Sequence, residues 1–257
     1  MAAPARRPGA SGPAQLFAAA LVGLEEELDW TLLGELHCWE GGAGFFPAEQ
    51  RAALREAGLL FAADVAEWVP RGGPGRSLYL GAALAELAPI LCERLVLERE
   101  VVALSLPGAQ TAELNRALAV VGAALGRELA RIDTVPLGEL EGEPCDHAWM
   151  TSVLTDPEAF PALHDELYGR RAELATGRGD LAAEREQAGS LVAALLERLR
   201  PPCLLTTTDE ELALVAPACA ARGWRLAVPA SARLSAVVGD PVRHCRVSLE
   251  SVEESTG

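Results

Sequence analysis

The sequence predicts an α/β protein, a doubly wound and mostly parallel sheet with a helical segment in front of it. Three observations carry this expectation. An apolar run over 77–80 meets Gly81 and continues as Ala82-Ala83-Leu84-Ala85-Glu86, a strand that turns through small residues into a helix. Doubly wound sheets build their first ligand crevice from such a unit. Beyond Gly81, strand-like and helix-like stretches alternate as far as Leu249. Ahead of it, three glycines and two prolines over 70–75 break the chain and set off a helical cap.

Taken in order, residues 1–12 are a Pro/Gly/Ala/Ser tail expected to be disordered. Leu16, Leu21, Leu24 and Leu28 share one side of a helix over 13–36, with Pro13 in its first turn. A Gly-rich turn leads to Pro47 and a second helix reaching Trp68, with Leu54, Phe61 and Val65 among its apolar positions. The cap thus spans 13–70 and the α/β part 76–250, with a tail over 251–257.

Strand one covers 77–80, and its helix ends near Glu98, with Pro89 inside it or at its start. The unbroken apolar stretch over 101–106 suits a strand buried on both faces. Pro107-Gly108 turns into a helix over 111–129, followed by a short strand over 131–135 and a fourth over 147–154. Residues 155–178 are unusually polar and irregular or partly helical. A helix over 180–200 stops at Pro201-Pro202, and strand five covers 203–207. Thr208-Asp-Glu-Glu211 is a capping box, and Gly223 closes the helix it opens. Strands over 224–229 and 242–249, with Gly239-Asp240 between them, form an antiparallel pair.

Composition narrows the function classes. The net charge of −15 repels phosphate backbones and anionic lipid, so neither nucleic acid nor a membrane is the expected partner. The expected partner is a small molecule or a protein, in a complex or a homodimer. No lysine occurs, which removes Schiff-base chemistry and a P-loop lysine; codon usage in a GC-rich genome explains it most simply. The six cysteines are scattered without a C-x-x-C pair, and read as buried thiols in a reducing, cytoplasmic compartment. The apolar run before Glu25-Glu26-Glu27 lacks a small-residue cleavage site, so it reads as helix rather than signal peptide.

The order of elements from 76 to 249 resembles the class I S-adenosylmethionine-dependent methyltransferases, a seven-strand Rossmann-like fold. Ser77-Leu-Tyr-Leu-Gly-Ala-Ala-Leu-Ala85 stands where that family has its glycine-rich first motif. Glu113-Leu-Asn-Arg-Ala-Leu118 looks like the helix after strand two. Cys145-Asp-His-Ala-Trp-Met-Thr-Ser-Val-Leu154 looks like the fourth-strand motif, with Asp146 in its usual acidic place. The resemblance implies S-adenosylmethionine as cofactor, near Tyr79, Gly81, Ala83, Ser105 and Asp146. The positions are degenerate: Tyr79 replaces an acid, Ala83 and Ala85 replace glycines, and Ser105 or Leu106 stands where an acid would hold the ribose. Each added Cβ crowds the approach to a ligand. Tyr79 and Leu84 are expected to fill the space above Gly81. A pseudoenzyme without cofactor and a divergent working transferase are both open.

Thr155-Asp-Pro-Glu-Ala-Phe160 follows strand four and faintly resembles the Asp/Asn-Pro-Pro-aromatic motif of amino-group methyltransferases. Asp156 and Glu158 are candidate acceptors or bases there, against a plain helix start with Asp156 as N-cap and Pro157 at N1. His164 is the candidate acid–base group, against a lone surface histidine. His37-Cys38-Trp39-Glu40 has ligand-type residues, yet neighbours in sequence rarely face one metal. Asp146-His147 shows no third partner, and no G-x-S-x-G elbow is present.

Overall fold

The structure is a computed structural model and describes residues 12–37, 42–69, 75–170, 177–235 and 237–250. The expected tails, the Gly/Pro break over 70–74 and most of the His37–Glu40 group lie outside those residues. The helical segment holds α1 (Pro13–Glu27), α2 (Trp30–His37) and α3 (Ala48–Trp68). Then come β1 (Arg76–Leu80), α4 (Leu87–Leu95), β2 (Glu100–Leu104), α5 (Ala109–Leu125), β3 (Ile132–Asp133) and β4 (Cys145–Met150). The chain continues through α6 (Pro161–Leu167), α7 (Leu181–Glu197), β5 (Leu199–Thr208), α8 (Leu212–Ala220), β6 (Trp224–Ala227), β7 (Arg233–Leu234) and β8 (Pro241–Leu249).

The strands form one sheet in the order β3-β2-β1-β4-β5-β8-β6, with β7 added on β8. The first five strands run parallel, and β8 is antiparallel to β5, β6 and β7. The doubly wound sheet with a reversed edge is therefore present. The two-residue β7 makes eight strands instead of the expected seven.

Local differences have local causes. The expected single helix over 13–36 breaks at Asp29, whose Oδ1 accepts from the amides of Thr31 (3.1 Å) and Leu32 (3.0 Å) and so caps a new helix. Pro89 is the third residue of α4, in the first turn, where an amide has no intrahelical partner to lose. Both prolines at 201–202 lie within β5, and α7 has already ended at Glu197.

Alternation along the strands divides the core in two. Tyr79, Trp149, Leu204 and Val242 face α1 to α5. Leu78, Ala148, Met150, Leu205 and Val247 face α6 to α8. The helical segment shares the first core directly: Phe61 of α3 meets Trp149 edge to face at 5.4 Å, and Trp149 stacks on Tyr79 at 5.5 Å. Five described cysteines are buried and free. Burial pushes the Cys145 thiol up to about 11 and those of Cys203 and Cys245 up to about 12, so they act as small apolar side chains.

A charged network runs through the α1–α5 face. The fully buried Glu93 carboxylate accepts from Tyr79 OH (2.6 Å), Arg99 Nε (2.8 Å), His147 Nδ1 (2.8 Å) and the Ser77 hydroxyl. Arg99 also pairs with Asp146. His147 Nε2 meets Thr206 Oγ1 at 3.2 Å, and Thr206 Oγ1 meets His244 Nδ1 at 2.8 Å. His244 lies 3.6 Å from Asp64 on α3, which binds Arg233 of β7. Burial, then repulsion from His147, lowers His244 to about 4. The network therefore joins α4 to β1, β4, β5 and β8, and the Arg233–Asp64 pair ties α3 to β7.

Burial alone would raise the Glu93 pKa. Attraction to His147 and hydrogen bonds from His147, Ser77 and Tyr79 outweigh it and hold the group down to about 2. A depressed acid stabilises the fold above its unfolded pKa, and the contribution fades as pH falls toward the folded value. Stability measured by denaturant melts should fall between about pH 4.5 and pH 2 in the wild type. Glu93→Gln should cost about 3–5 kcal/mol at pH 7, because it leaves Arg99 and His147 short of a counter-charge. The same melts should show a flatter acid limb for the variant; an unchanged limb would remove Glu93 as its source.

Candidate functional site

Ligands of open α/β sheets bind beyond the carboxyl ends of the strands. At that end, Gly81 turns the chain out of β1 with φ +77°, a conformation that favours glycine. The chain's own residues crowd this turn. A Cβ added at Gly81 would lie 2.4 Å from Val153 Cγ2. The amide of Ala82 donates to the Leu104 carbonyl (2.8 Å), and that of Ala83 to Glu86 Oε2 (3.0 Å). Glu86 Oε1 accepts from the Thr151 hydroxyl (2.9 Å), which in turn accepts from Trp149 Nε1 (3.0 Å). Burial raises the Glu86 pKa, against the lowering hydrogen bonds.

Val153 belongs to the segment after β4, and buried Glu211 fixes that segment. Glu211 Oε1 accepts from the amides of Val153 (2.7 Å) and Leu154 (2.9 Å). Its Oε2 accepts from the Thr207 hydroxyl (3.0 Å) and from the hydroxyl (3.1 Å) and amide (3.3 Å) of Thr208. These bonds draw 151–154 out of the sheet, so β4 ends at Met150 and not at Leu154 as its apolar run suggests. Ser152, just before Val153, has φ +57°, which costs a side-chain-bearing residue on the order of 1 kcal/mol. Its hydroxyl donates to Asp240 Oδ2 (2.8 Å), and Tyr168 OH lies 2.7 Å from both Asp240 oxygens. Burial, then the hydrogen bond to Asp240, raises the Tyr168 pKa.

The residues expected from sequence divide between this end and other places. Gly81, Ala83 and Ser105 do lie at the carboxyl ends of β1 and β2, and the Ser105 amide donates to the Asp133 carbonyl (3.0 Å). Tyr79 does not fill the space above Gly81. It is fully buried on the sheet face toward α4, because strand alternation turns it there and Glu93 takes its hydroxyl. Leu84 is buried in the same core, and Val153 occupies the place expected for them. Asp146 sits level with Arg76 by strand register, about 13 Å below the end of β1, and binds Arg99. Asp156 closes its own turn, its Oδ1 accepting from the Glu158 amide (2.8 Å), and α6 starts only at Pro161; the exposed Glu158 stays in that turn. His164 is buried, not on the surface, with Nδ1 against the Thr155 carbonyl and its ring against Tyr168. His37 packs with Phe45 and Phe46 and meets Gln110 at 3.2 Å; burial lowers its pKa.

Glu86, Ser152, Tyr168 and Asp240 were not singled out as site residues by sequence. Gly239-Asp240 reads as a turn, and Ser152 as part of a strand. Two cavities lie elsewhere: about 570 Å³ between α5 and the approach to β3, and about 60 Å³ among α1, α3 and α4. Neither is lined by Gly81, Ser105 or Ser152. Among the described residues no group of three metal-ligating side chains is present, and no helix is long and apolar enough to cross a membrane.

No family model and no curated protein matches this sequence. Solved structures do match. A putative class I S-adenosylmethionine-dependent methyltransferase from Listeria monocytogenes superposes with a TM-score of 0.50 at 13% identity, over 94% of this chain and 70% of that one. A putative O-methyltransferase from Klebsiella pneumoniae gives 0.46 at 12% identity, over 95% and 93%. NSun6 from Pyrococcus horikoshii gives 0.48 at 12% identity over 75% of this chain, which spans about half of that longer one, 51%. The fold is thus the class I methyltransferase type. At such identities the likeness extends to the fold alone.

Removing the Glu211 carboxylate tests how 151–154 is held. In Glu211→Ala, amide hydrogen exchange at Val153 and Leu154 should quicken by about 10- to 100-fold relative to the Leu104 amide. Equal exchange in both proteins would show that Glu211 does not fix the segment.

Proposed function

We propose that this chain is a methyltransferase-fold binding or scaffold protein whose cofactor crevice is filled by its own residues. The observation that carries this is Val153 against Gly81, where a ligand would need the space that glycine leaves. Two further features support it. The loop amides of Ala82 and Ala83, which could face an adenosyl or carboxylate group, are taken by Leu104 and Glu86. Ser105 brings no charge to a ribose. The residues present do not fit S-adenosylmethionine. The partners proposed are a small molecule or another protein, and the acidic charge disfavours nucleic acid.

A working S-adenosylmethionine-dependent transferase is the second reading. Gly81 keeps the positive φ of a ligand-cradling turn, and the segment over it carries the hydroxyls of Thr151 and Ser152. Calorimetry with S-adenosylmethionine separates the two. The closed-crevice reading expects no saturable heat from the wild type at millimolar cofactor. Micromolar binding by the wild type would establish the second reading.

A further inference from the structure

Three helices converge on the cavity of about 60 Å³, away from the crevice. Leu24 and Leu28 at the end of α1, and Leu54 and Gly58 of α3, line it from two sides. Each pair is four residues apart, so both members of a pair face the same way. Ala85 and Ala88, just before and within α4, form the third wall. Short side chains leave the room open: α3 and α4 approach so closely at Gly58 that a Cβ there would lie 2.9 Å from the Ala88 methyl, yet nothing on the third wall reaches into the space beside them. Ala85 and Trp30 are half-buried and put the mouth of the cavity at the surface.

One charged side chain lines this apolar space without a partner. The Arg51 guanidinium lies over Trp30, with its carbon 5.5 Å from the ring centroid. Its Nε is buried and has no hydrogen-bond partner, and among the described residues no acid pairs with it. Stacking on a ring face leaves the in-plane N–H groups free to donate. Arg55, the other arginine of the cavity, is neutralised by Glu25 at 2.6 Å. Buried donors are almost always paired, so the site lacks one acceptor and one negative charge. Water would supply the acceptor alone. A phosphate would need several further donors, which walls of Leu, Ala and Gly do not provide. An amine would be repelled by Arg51.

We infer that this cavity binds a short aliphatic carboxylic acid in its ionised form, with the carboxylate on Arg51 and the alkyl chain among Leu24, Leu54 and Ala88. A planar guanidinium matches a carboxylate in both charge and geometry. The cavity holds about four to six atoms of water size, which fits a chain of about four carbons. Apolar walls with one well-placed polar group are the usual make-up of a small-molecule site. This goes beyond the closed-crevice reading and does not rest on it, since neither Gly81 nor Val153 lines the cavity.

The test is an NMR titration of the whole chain with sodium valerate at pH 7 and fixed ionic strength, followed on the amides of Gly58, Ala85 and Ala88. Saturating shifts at millimolar valerate are expected. Acetate, which lacks the chain, and n-pentylammonium, which reverses the charge, should each bind about tenfold more weakly or worse. Arg51→Gln should weaken valerate by about tenfold; the side chain is half-buried and its Nε makes no bond within the fold, so the variant keeps its structure. Ala85→Leu fills the mouth with carbon and should weaken valerate at least as much, with the rest of its amide spectrum reporting that it is folded. The proposal is overturned if valerate gives no saturation, if either control binds as tightly as valerate, or if either variant keeps wild-type affinity. None of these results depends on S-adenosylmethionine, so such a failure would leave the closed crevice standing.

Discussion

One buried carboxylate sets the shape of the carboxyl end of the sheet. Glu211 lies at the start of α8, yet its two oxygens gather donors from both ends of a span of nearly sixty residues: the Val153 and Leu154 amides on one side, and Thr207 and Thr208 on the other. A carboxylate out of water needs several strong donors, and here the backbone must come to it. Because 153–154 is fixed, Val153 stands over the Gly81 turn and Ser152 adopts a left-handed backbone. Glu86 and Asp240 hold Thr151 and Ser152 from either side. Three acids thus hold residues 151–154 in place beside the Gly81 turn.

The opposite end of the same face is governed by charge in the core. Glu93, Arg99 and His147 form a fully or nearly buried set, and removal of any one strands the others. Asp64 of α3 is joined to the sheet by its ion pair with Arg233 of β7. The helical segment is therefore held by polar bonds as well as by Phe61 on Trp149. Tyr79 serves this network through its hydroxyl, which donates to Glu93.

The architecture was legible in sequence because it rests on short-range pattern. The strand-turn-helix at 77–86, the continuous apolar stretch of β2 and the reversed edge all follow from periodicity and turn residues. The Thr208–Glu211 box was legible too, and the structure contains its reciprocal bonds, Thr208 amide to Glu211 Oε2 and Glu211 amide to Thr208 Oγ1, each 3.3 Å. What sequence could not show is the second use of Glu211, which depends on amides far away in the chain. The same holds for Glu93 with His147 and for Asp240 with Ser152 and Tyr168. The expected catalytic trio shows the limit: Asp156 closes a local turn, Glu158 stays in it, and only His164 reaches a cluster, through a tyrosine that no motif marks. Polar side chains that act across the fold leave no periodic trace.

A crystal structure grown with excess S-adenosylmethionine examines the central claim most directly, since it sees Val153 and Gly81 together. The closed crevice predicts no nucleoside at the end of β1, with Val153 still packed on Gly81 and Glu86 on the Ala83 amide. A nucleoside seated on that turn, with residues 151–154 moved aside, would contradict it.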